Sequence, residues 1–265
     1  MTLLRSILYN TAFYVVMAVV FIAVTPVYFL LPQRRNMAVV SWLARVLLWL
    51  LRVIAGTKLE FRGLDNLPEG RFIVASKHQS LWETFAFLKV FPNAGVIIKR
   101  QLLYVPIWGW WAWKADHVYV TRGGGTAALR EINEGAERVL AQGRPLIIFP
   151  EGTRRAPGAE PDYKQGIALL YAKVGVPVVP VGLNSGFYWP RRRSLRFPGT
   201  IIVEFMPPIP PGLRPRAFME QLTGIIEGSC DRLLLEADAA HPRPPFPPEA
   251  SRRLNELKNP DSPAH

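Results

Sequence analysis

The stretch TAALREINEGAERVLAQGRPLIIF, residues 126–149, contains the two patterns that together decide the fold class. In its first part apolar residues recur at helical spacing, which predicts a helix over 126–142 with a stop at Gly143. Its last four residues form a continuous apolar run, which is typical of a strand buried on both faces. A helix followed directly by such a strand is half of a repeating α/β unit.

Further short apolar runs continue this pattern in both directions along the chain. They predict additional strands over residues 72–75, 94–98, 118–120, 178–181 and 201–205. Strands that alternate with helical stretches indicate an α/β domain with a mostly parallel central sheet flanked by helices, which we assign to residues 58–240. The Pro-rich segment that follows breaks the pattern. Residues 241–265 are therefore predicted to form a flexible tail with room for one short helix.

The segment before the α/β domain is strongly apolar. No charged residue occurs between Arg5 and Arg34, and about 20 apolar residues suffice to cross a bilayer. A second apolar stretch, residues 37–56, carries arginines that suit an interfacial helix. Because cations flank the first stretch at both ends, a hairpin dipping into one leaflet is favoured over a clean crossing. We therefore predict that residues 1–57 form a membrane-embedded helical hairpin.

The charge and apolar content of the chain indicate what kind of surface or molecule it binds. The 265 residues include 32 Lys and Arg against 20 Asp and Glu, a formal charge of +12, and 49% are hydrophobic. A basic and apolar chain favours the anionic face of a lipid bilayer, and we expect no nucleic acid partner. The single cysteine, Cys230, allows no intramolecular disulfide. Neither a Cys/His zinc cluster nor a nucleotide-binding glycine loop occurs, so we expect no metal and no cofactor.

The first candidate site motif is KHQSLWE, residues 77–83, directly after a predicted strand. Residues five apart on a regular helix point about 140° away from each other. His78 and Glu83 can therefore meet only if His78 lies in the loop and the helix begins at Ser80. The run from Ser80 to Glu83 is a capping-box pattern, which supports that start and also gives Glu83 a purely structural alternative. If they meet, His78 can take a proton from an alcohol while Glu83 orients the imidazole.

The second candidate motif is FPEGTRR, residues 149–155, again at the carboxyl end of a buried strand. Ligands of open α/β sheets bind at that edge. Arginine forms paired, charge-assisted hydrogen bonds with phosphate oxygens, so Arg154 and Arg155 beside Thr153 suit a phosphate. A simple turn with solvated arginines is the alternative.

The two motifs in this order resemble the glycerolipid acyltransferase family, in particular the bacterial 1-acylglycerol-3-phosphate acyltransferases. The resemblance extends over residues 58–210 and the apolar N-terminal segment, and further matches are residues 98–110, 118–122, 164–166 and 176–181. It implies that His78 is the general base and Glu83 its orienting acid. It also implies these substrate-binding residues: Lys99, Arg122, Glu151, Gly152, Thr153 and Arg154. The sequence departs from the family pattern at Glu83, where Asp is usual, and at Thr121, where Asp is frequent.

The reaction implied by the resemblance is acyl transfer from an acyl-CoA or acyl carrier protein thioester. The acceptor is the sn-2 hydroxyl of 1-acylglycerol-3-phosphate (lysophosphatidic acid), the product is phosphatidic acid, and no cofactor is needed. The expected location is the cell inner membrane, with the active site facing the cytoplasm.

Several alternatives remain open at this point. The acceptor could be a lyso-ornithine lipid or another lysophospholipid, and a non-catalytic membrane protein that binds anionic lipid is a second class. A hydrolase would need a nucleophile, and no Gly-x-Ser-x-Gly motif occurs. A basic cluster at Arg191, Arg192, Arg193 and Arg196 could meet an acyl carrier protein, coenzyme A phosphates, lipid headgroups or only solvent. The sequence leaves the acyl donor, the chain length, the membrane topology and the oligomeric state undecided.

Overall fold

A computed structural model describes residues 1–121, 123 and 125–259. Seven strands within these residues form a single sheet in the order β1-β7-β6-β2-β5-β3-β4. The neighbouring strands are parallel except for β6 and β7, which are antiparallel. The predicted α/β class with a mostly parallel central sheet is thereby confirmed.

Six of the seven strands were predicted, each with its ends within two residues of those observed. The strands are β1 Thr57–Arg62, β2 Ile73–Ser76, β3 Gly95–Lys99, β4 Val118–Val120, β5 Leu146–Ile148, β6 Val178–Leu183 and β7 Gly199–Phe205. The missed strand, β1, lies at the edge of the sheet, where its charged residues alternate with apolar ones. It therefore lacks the continuous apolar run by which the buried strands were recognised.

Nine α-helices lie in the described part of the chain. They are α1 Thr2–Tyr28, α2 Gln33–Leu50, α3 Trp82–Val90, α4 Trp108–Lys114, α5 Gly125–Ala141, α6 Gly166–Val174, α7 Ser185–Tyr188, α8 Pro215–Ala239 and α9 Pro248–Lys258. Helix α5 matches its prediction to within one residue at each end, and Gly143 follows it at φ 71°. Helix α3 begins at Trp82 rather than at the predicted Ser80.

The core lies on both faces of the sheet because successive side chains on a strand point to opposite faces. Val74 and Ile147 join a cluster with α1, α2 and α3 on one face. Their chain neighbours Ile73 and Leu146 join a second cluster with α5, α6 and α8 on the other face. All four side chains are at most 1% exposed. The four-residue apolar runs in the sequence are therefore explained by helices on both faces.

Helix α1 lies against the α/β domain along its length. One stripe is buried, comprising Ser6, Tyr9, Phe13, Val20 and Tyr28. The Tyr9 ring contacts Trp189 at a centroid distance of 5.6 Å, and the Tyr28 ring stacks on Trp111 at 4.0 Å. Exposed apolar side chains occupy the remaining surface of α1, among them Leu4, Leu8, Val15, Val19 and Ile22. By length and composition alone, both α1 and the helical stretch Gln33–Ala55 could cross a membrane.

The Pro-rich segment near the C-terminus contains the packed helix α9. Ala250 is fully buried and Leu254 is 5% exposed. The Arg253 guanidinium pairs with both carboxylate oxygens of Asp231 in α8, at 3.0 and 2.6 Å. This part of the segment is therefore attached to the α/β domain.

Candidate active site

The loops that carry the two sequence motifs lie at one edge of the sheet. Strands β2, β5, β3 and β4 are consecutive neighbours and all parallel, so their carboxyl ends meet at the same edge. His78 follows β2, residues 151–154 follow β5, Lys99 ends β3 and Thr121 follows β4. Arg122 lies outside the described residues. This edge is where ligands of open α/β sheets bind.

The structure brings His78 and Glu83 together, with His78 in the loop and Glu83 in the first turn of α3. His78 Nδ1 lies 3.3 Å from Glu83 Oε2, an ion-pair distance without the alignment of a hydrogen bond. The imidazole also stacks on Phe149 at a centroid distance of 4.0 Å. The His78 side chain is 17% exposed and that of Glu83 is fully buried. Nε2 is thus the ring nitrogen left for a substrate.

Glu83 binds the loop before α3 and faces His78 at the same time, so the two interactions do not compete. Its Oε1 accepts hydrogen bonds from the backbone N–H groups of Gln79 and Ser80, at 3.2 and 2.9 Å, and from the Ser185 hydroxyl. Ser80 Oγ in turn accepts the N–H of Trp82 at 2.9 Å. These donors fix the carboxylate so that Oε2 is directed at the imidazole.

The residue before His78 belongs to a buried ionic network. Lys77 Nζ lies 3.0 Å from Glu151 Oε1 and 2.7 Å from Glu227 Oε1, and the Tyr163 hydroxyl donates to Glu227 at 2.6 Å. Burial works to lower the pKa of Lys77, but the two carboxylates raise it above its ordinary value. Lys77 and Glu151 are each 1% exposed. The ion pair therefore joins the loop that carries His78 to the loop that carries the second motif.

Glu151, which the resemblance implies as a substrate-binding residue, directs Oε1 toward Lys77. Its Oε2 is buried and accepts no hydrogen bond from the described residues. Burial raises the pKa of Glu151, and the neighbouring Lys77 opposes that shift. The Glu151 carboxylate therefore holds the loop after β5 against the loop that carries His78, through its ion pair with Lys77.

The rest of the second motif is more accessible. Gly152 is exposed at φ 62°, a left-handed conformation that favours glycine. Thr153 and Arg154 are half-buried, and the described part of the chain offers no ion-pair partner for the Arg154 guanidinium. The backbone N–H of Arg155 donates to the His78 carbonyl at 2.8 Å. Arg154 therefore stands close to the histidine loop with its charge available for an anion.

Two neighbouring cations, Lys99 and Arg100, lie at the end of β3. Lys99 is half-buried at the strand end. Arg100 donates to Thr121 Oγ1 at 3.1 Å and to Glu131 at 3.0 Å, and Glu131 also accepts the backbone N–H of Thr121. The hydroxyl of Thr121, where the family pattern frequently has Asp, thus accepts a hydrogen bond from Arg100.

Sequence reasoning missed the partners that come from distant parts of the chain. Ser185 lies 102 residues from Glu83, and Glu227 lies 150 residues from Lys77. Neither has a spacing signal that could have identified it. Lys77 was quoted in the first motif, but nothing in the sequence indicated its two carboxylate partners.

A small apolar cavity of about 80 Å³ lies between α1, α2, α3 and α4. Phe21, Leu43 and Trp111 contribute to its walls, and so does Thr84, the neighbour of Glu83. Among the residues that the structure describes, no three His, Cys, Asp or Glu side chains form a group that could hold a metal.

The sequence is similar to known acyltransferases. A family model described as Acyltransferase matches residues 58–184. The 1-acyl-sn-glycerol-3-phosphate acyltransferase of Pseudomonas aeruginosa is 38% identical over 188 residues, which are 71% of this chain and 73% of that protein. The 1-acyl-sn-glycerol-3-phosphate acyltransferase alpha of Mus musculus is 31% identical over 62% of this chain and 59% of its own length.

The fold is similar to a solved structure as well. The crystal structure of the 1-acyl-sn-glycerophosphate (LPA) acyltransferase PlsC from Thermotoga maritima has a TM-score of 0.72 and 23% sequence identity. The match covers 88% of this chain and 98% of that chain. It therefore extends beyond the α/β domain alone.

Proposed function

The chain belongs to the acyltransferase family, and we propose that it transfers an acyl group from a thioester to the sn-2 hydroxyl of 1-acylglycerol-3-phosphate. Relatives named 1-acyl-sn-glycerol-3-phosphate acyltransferase support this acceptor. The observation that carries the mechanism is the 3.3 Å approach of His78 Nδ1 to Glu83 Oε2 at the ligand-binding edge of the sheet. The product would be phosphatidic acid.

In this mechanism His78 acts as the general base. Its Nε2 takes the proton from the sn-2 hydroxyl as the hydroxyl oxygen attacks the thioester carbonyl carbon. Glu83 holds the imidazole in position and stabilises the imidazolium that forms. The tetrahedral intermediate then breaks its carbon–sulfur bond, and the departing thiolate receives the proton from His78. The two substrates supply every atom of the products, so we propose that no cofactor takes part.

The phosphate of the acceptor would bind to the loop after β5 and its neighbours. Arg154 has no ion-pair partner in the described part of the chain, and Thr153 adds a hydroxyl donor beside it. A guanidinium matches phosphate oxygens with paired hydrogen bonds. Gly152 keeps the approach free of a side chain. Lys99, at the end of the adjacent strand β3, adds positive charge at the same edge. Arg122, which lies outside the described residues, is proposed as a further phosphate ligand from the family resemblance alone.

We propose that α1 and α2 embed the enzyme in one leaflet of the inner membrane, with the active site facing the cytoplasm. The support is the arrangement of α1, which packs one stripe on the domain and exposes apolar side chains on the remainder. A helix held flat against the domain suits an orientation along the membrane surface. The apolar cavity beside Thr84 would then open an apolar path for an acyl chain near the histidine.

The proposal is tested by assaying the full-length protein in detergent with 1-oleoyl-glycerol-3-phosphate and either oleoyl-CoA or oleoyl acyl carrier protein. His78→Ala should lose a factor of about 10² to 10⁴ in phosphatidic acid formation, because general-base catalysis is worth that much. His241→Ala, an exposed histidine far along the chain, is the matched control and should keep wild-type activity. Equal activity of His78→Ala and the control would refute the mechanism. If the wild type is inactive on this acceptor but active on another lysolipid, that lysolipid replaces 1-acylglycerol-3-phosphate as the proposed acceptor.

A further inference from the structure

A basic cleft of about 490 Å³ lies beside the histidine loop and has no assigned role. Its floor includes Gln79, the residue after His78, and its charged wall consists of Arg155, Arg191, Arg192 and Arg193. The C-terminal segment around Phe246 also lines the cleft, and the Phe246 ring packs on Phe187 at a centroid distance of 4.9 Å. This size falls in the range of small-molecule sites, about 300 to 1,000 Å³.

Three of the four arginines of this cleft have no carboxylate partner in the described part of the chain, whereas Arg155 pairs with Asp162 at 2.9 Å. Arg191, Arg192 and Arg193 make no ion pair with any described residue. Partial burial lowers the pKa of Arg191, and repulsion from Arg192, Arg154 and Arg155 lowers it further. Of the described residues that line the cleft, only Glu249 carries a carboxylate. An anion with several charges would relieve this repulsion.

The backbone holds these arginines in place. Arg192 has φ 57°, a left-handed conformation that is uncommon outside glycine. The loop is fastened to α1, because Asn10 Nδ2 donates to the Ser194 carbonyl at 2.7 Å and the Ser6 hydroxyl donates to the Arg196 carbonyl at 3.2 Å. The Arg191 guanidinium donates to the carbonyl of Arg154. The cluster is thus fixed both to the apolar helix and to the second motif.

Two residues that line the cleft, Gln79 and Arg155, are bonded to the loop that carries His78 or belong to it. The backbone N–H of Arg155 bonds the His78 carbonyl at 2.8 Å, and Gln79 Oε1 accepts the N–H of Gly186 at 3.0 Å. Phe197 gives the cleft an aromatic surface on which a flat ring could stack, whereas the Phe246 ring already contacts Phe187 and the Arg243 guanidinium. A ligand with phosphates, a ring system and an arm that reaches His78 would match these features.

We propose that this cleft binds the phosphate-bearing nucleotide part of a coenzyme A thioester, with Arg191, Arg192 and Arg193 as its phosphate ligands. The proposal rests on the acyl transfer proposed above and specifies its donor. A carrier protein holds its thioester on an arm with a single phosphate and no nucleotide, so that arm would leave most of the arginines and the aromatic surface of this cleft without a ligand. A lipid headgroup would supply the same phosphate chemistry, so the experiment must separate that source from coenzyme A.

The decisive variant is Arg192→Gln with Arg193→Gln, since both residues are exposed and their side chains support nothing else in the described structure. Arg214→Gln with Arg216→Gln, two exposed arginines before and in α8, removes the same charge elsewhere. Coenzyme A binding to each full-length protein in detergent is measured by calorimetry, without turnover. The KM values for oleoyl-CoA and for the lysolipid are measured separately.

We expect the cleft variant to bind coenzyme A at least about tenfold more weakly, since charge-assisted hydrogen bonds are lost. Its KM for oleoyl-CoA should rise in parallel while the KM for the lysolipid stays unchanged, and the control should match wild type. A wild type that fails to bind coenzyme A, or a cleft variant that binds it normally, overturns the proposal. So does a variant that loses only its binding to phosphatidylglycerol vesicles, which would assign the cleft to headgroups. Coenzyme A binding that depends on the cleft, without phosphatidic acid formation by wild type, would instead refute the proposed function alone.

Discussion

Replacing Lys77 with methionine should destabilise the protein strongly, because this ammonium neutralises two carboxylates beneath the active site. Lys77 Nζ lies 3.0 Å from Glu151 and 2.7 Å from Glu227. The Glu151 side chain is fully buried, and its Oε2 has no other partner among the described residues. Methionine preserves most of the volume but leaves the two acids facing each other with only Arg155 nearby, whose Nε lies 3.9 Å from Glu151 Oε1.

The magnitude follows from that burial. Removing one partner of a buried ion pair costs about 3 to 5 kcal/mol, mostly because the other charge stays buried and uncompensated. For a chain of this size each kcal/mol corresponds to about 2 to 4 °C in Tm, so a drop of roughly 10 °C is expected. Lys173→Met is the matched control, since Lys173 pairs with Glu137 at 3.5 Å with both side chains more than half exposed. Such a surface pair contributes at most about 1 kcal/mol.

The assay is thermal unfolding in detergent followed by tryptophan fluorescence, repeated over a pH series. Lys77 opposes the raised pKa of Glu151, so the pKa of this carboxyl should rise further in Lys77→Met. A folded-state pKa above the unfolded value means that the folded state binds the proton more tightly. The deficit of the variant should therefore shrink as the pH falls from about 8 to about 5.

A second variant separates charge from packing. Adding Glu151→Gln to Lys77→Met removes the stranded charge, so the double variant should recover a substantial part of the lost stability at about pH 8. A Tm for Lys77→Met within about 2 °C of wild type would refute the network as a stabilising element. A deficit that grows in acid would refute the assigned sign of the linkage.

Four further outcomes are expected. Glu83→Gln should lower kcat at least about 100-fold with little change in the KM for the lysolipid, since it removes the charge beside the imidazole; an unchanged kcat would contradict this role. Arg144→Met should cost at least about 3 kcal/mol in chemical denaturation, because the buried guanidinium donates to several backbone carbonyls that would lose their partner. Cys230 is half-buried, and burial raises the pKa of its thiol to about 12, so iodoacetamide at about pH 8 should label the native protein much more slowly than the denatured protein, and equal labelling rates would count against this. Tyr14→Asp with Val19→Asp, on the exposed face of α1, should reduce sedimentation with anionic vesicles while leaving Tm unchanged.

The amino-acid sequence determined those features that depend on neighbours within one element. The apolar runs identified six strands, and the 3.6-residue spacing located α5 to within a residue. The same reading placed His78 and Arg154 directly after the carboxyl ends of predicted strands, where ligands of open α/β sheets bind. The capping pattern at Ser80 was informative too, although the helix itself begins at Trp82.

The tertiary structure alone decided which distant residues complete the site. Ser185 reaches Glu83, and Glu227 reaches Lys77, only because β6 and α8 pack beside β2. The antiparallel pairing of β7 with β6 likewise depends on the order of strands in the sheet. Contacts between residues more than 100 positions apart are set by how whole elements pack. No local periodicity encodes that packing, because the periodicity reports only which face of an element is buried.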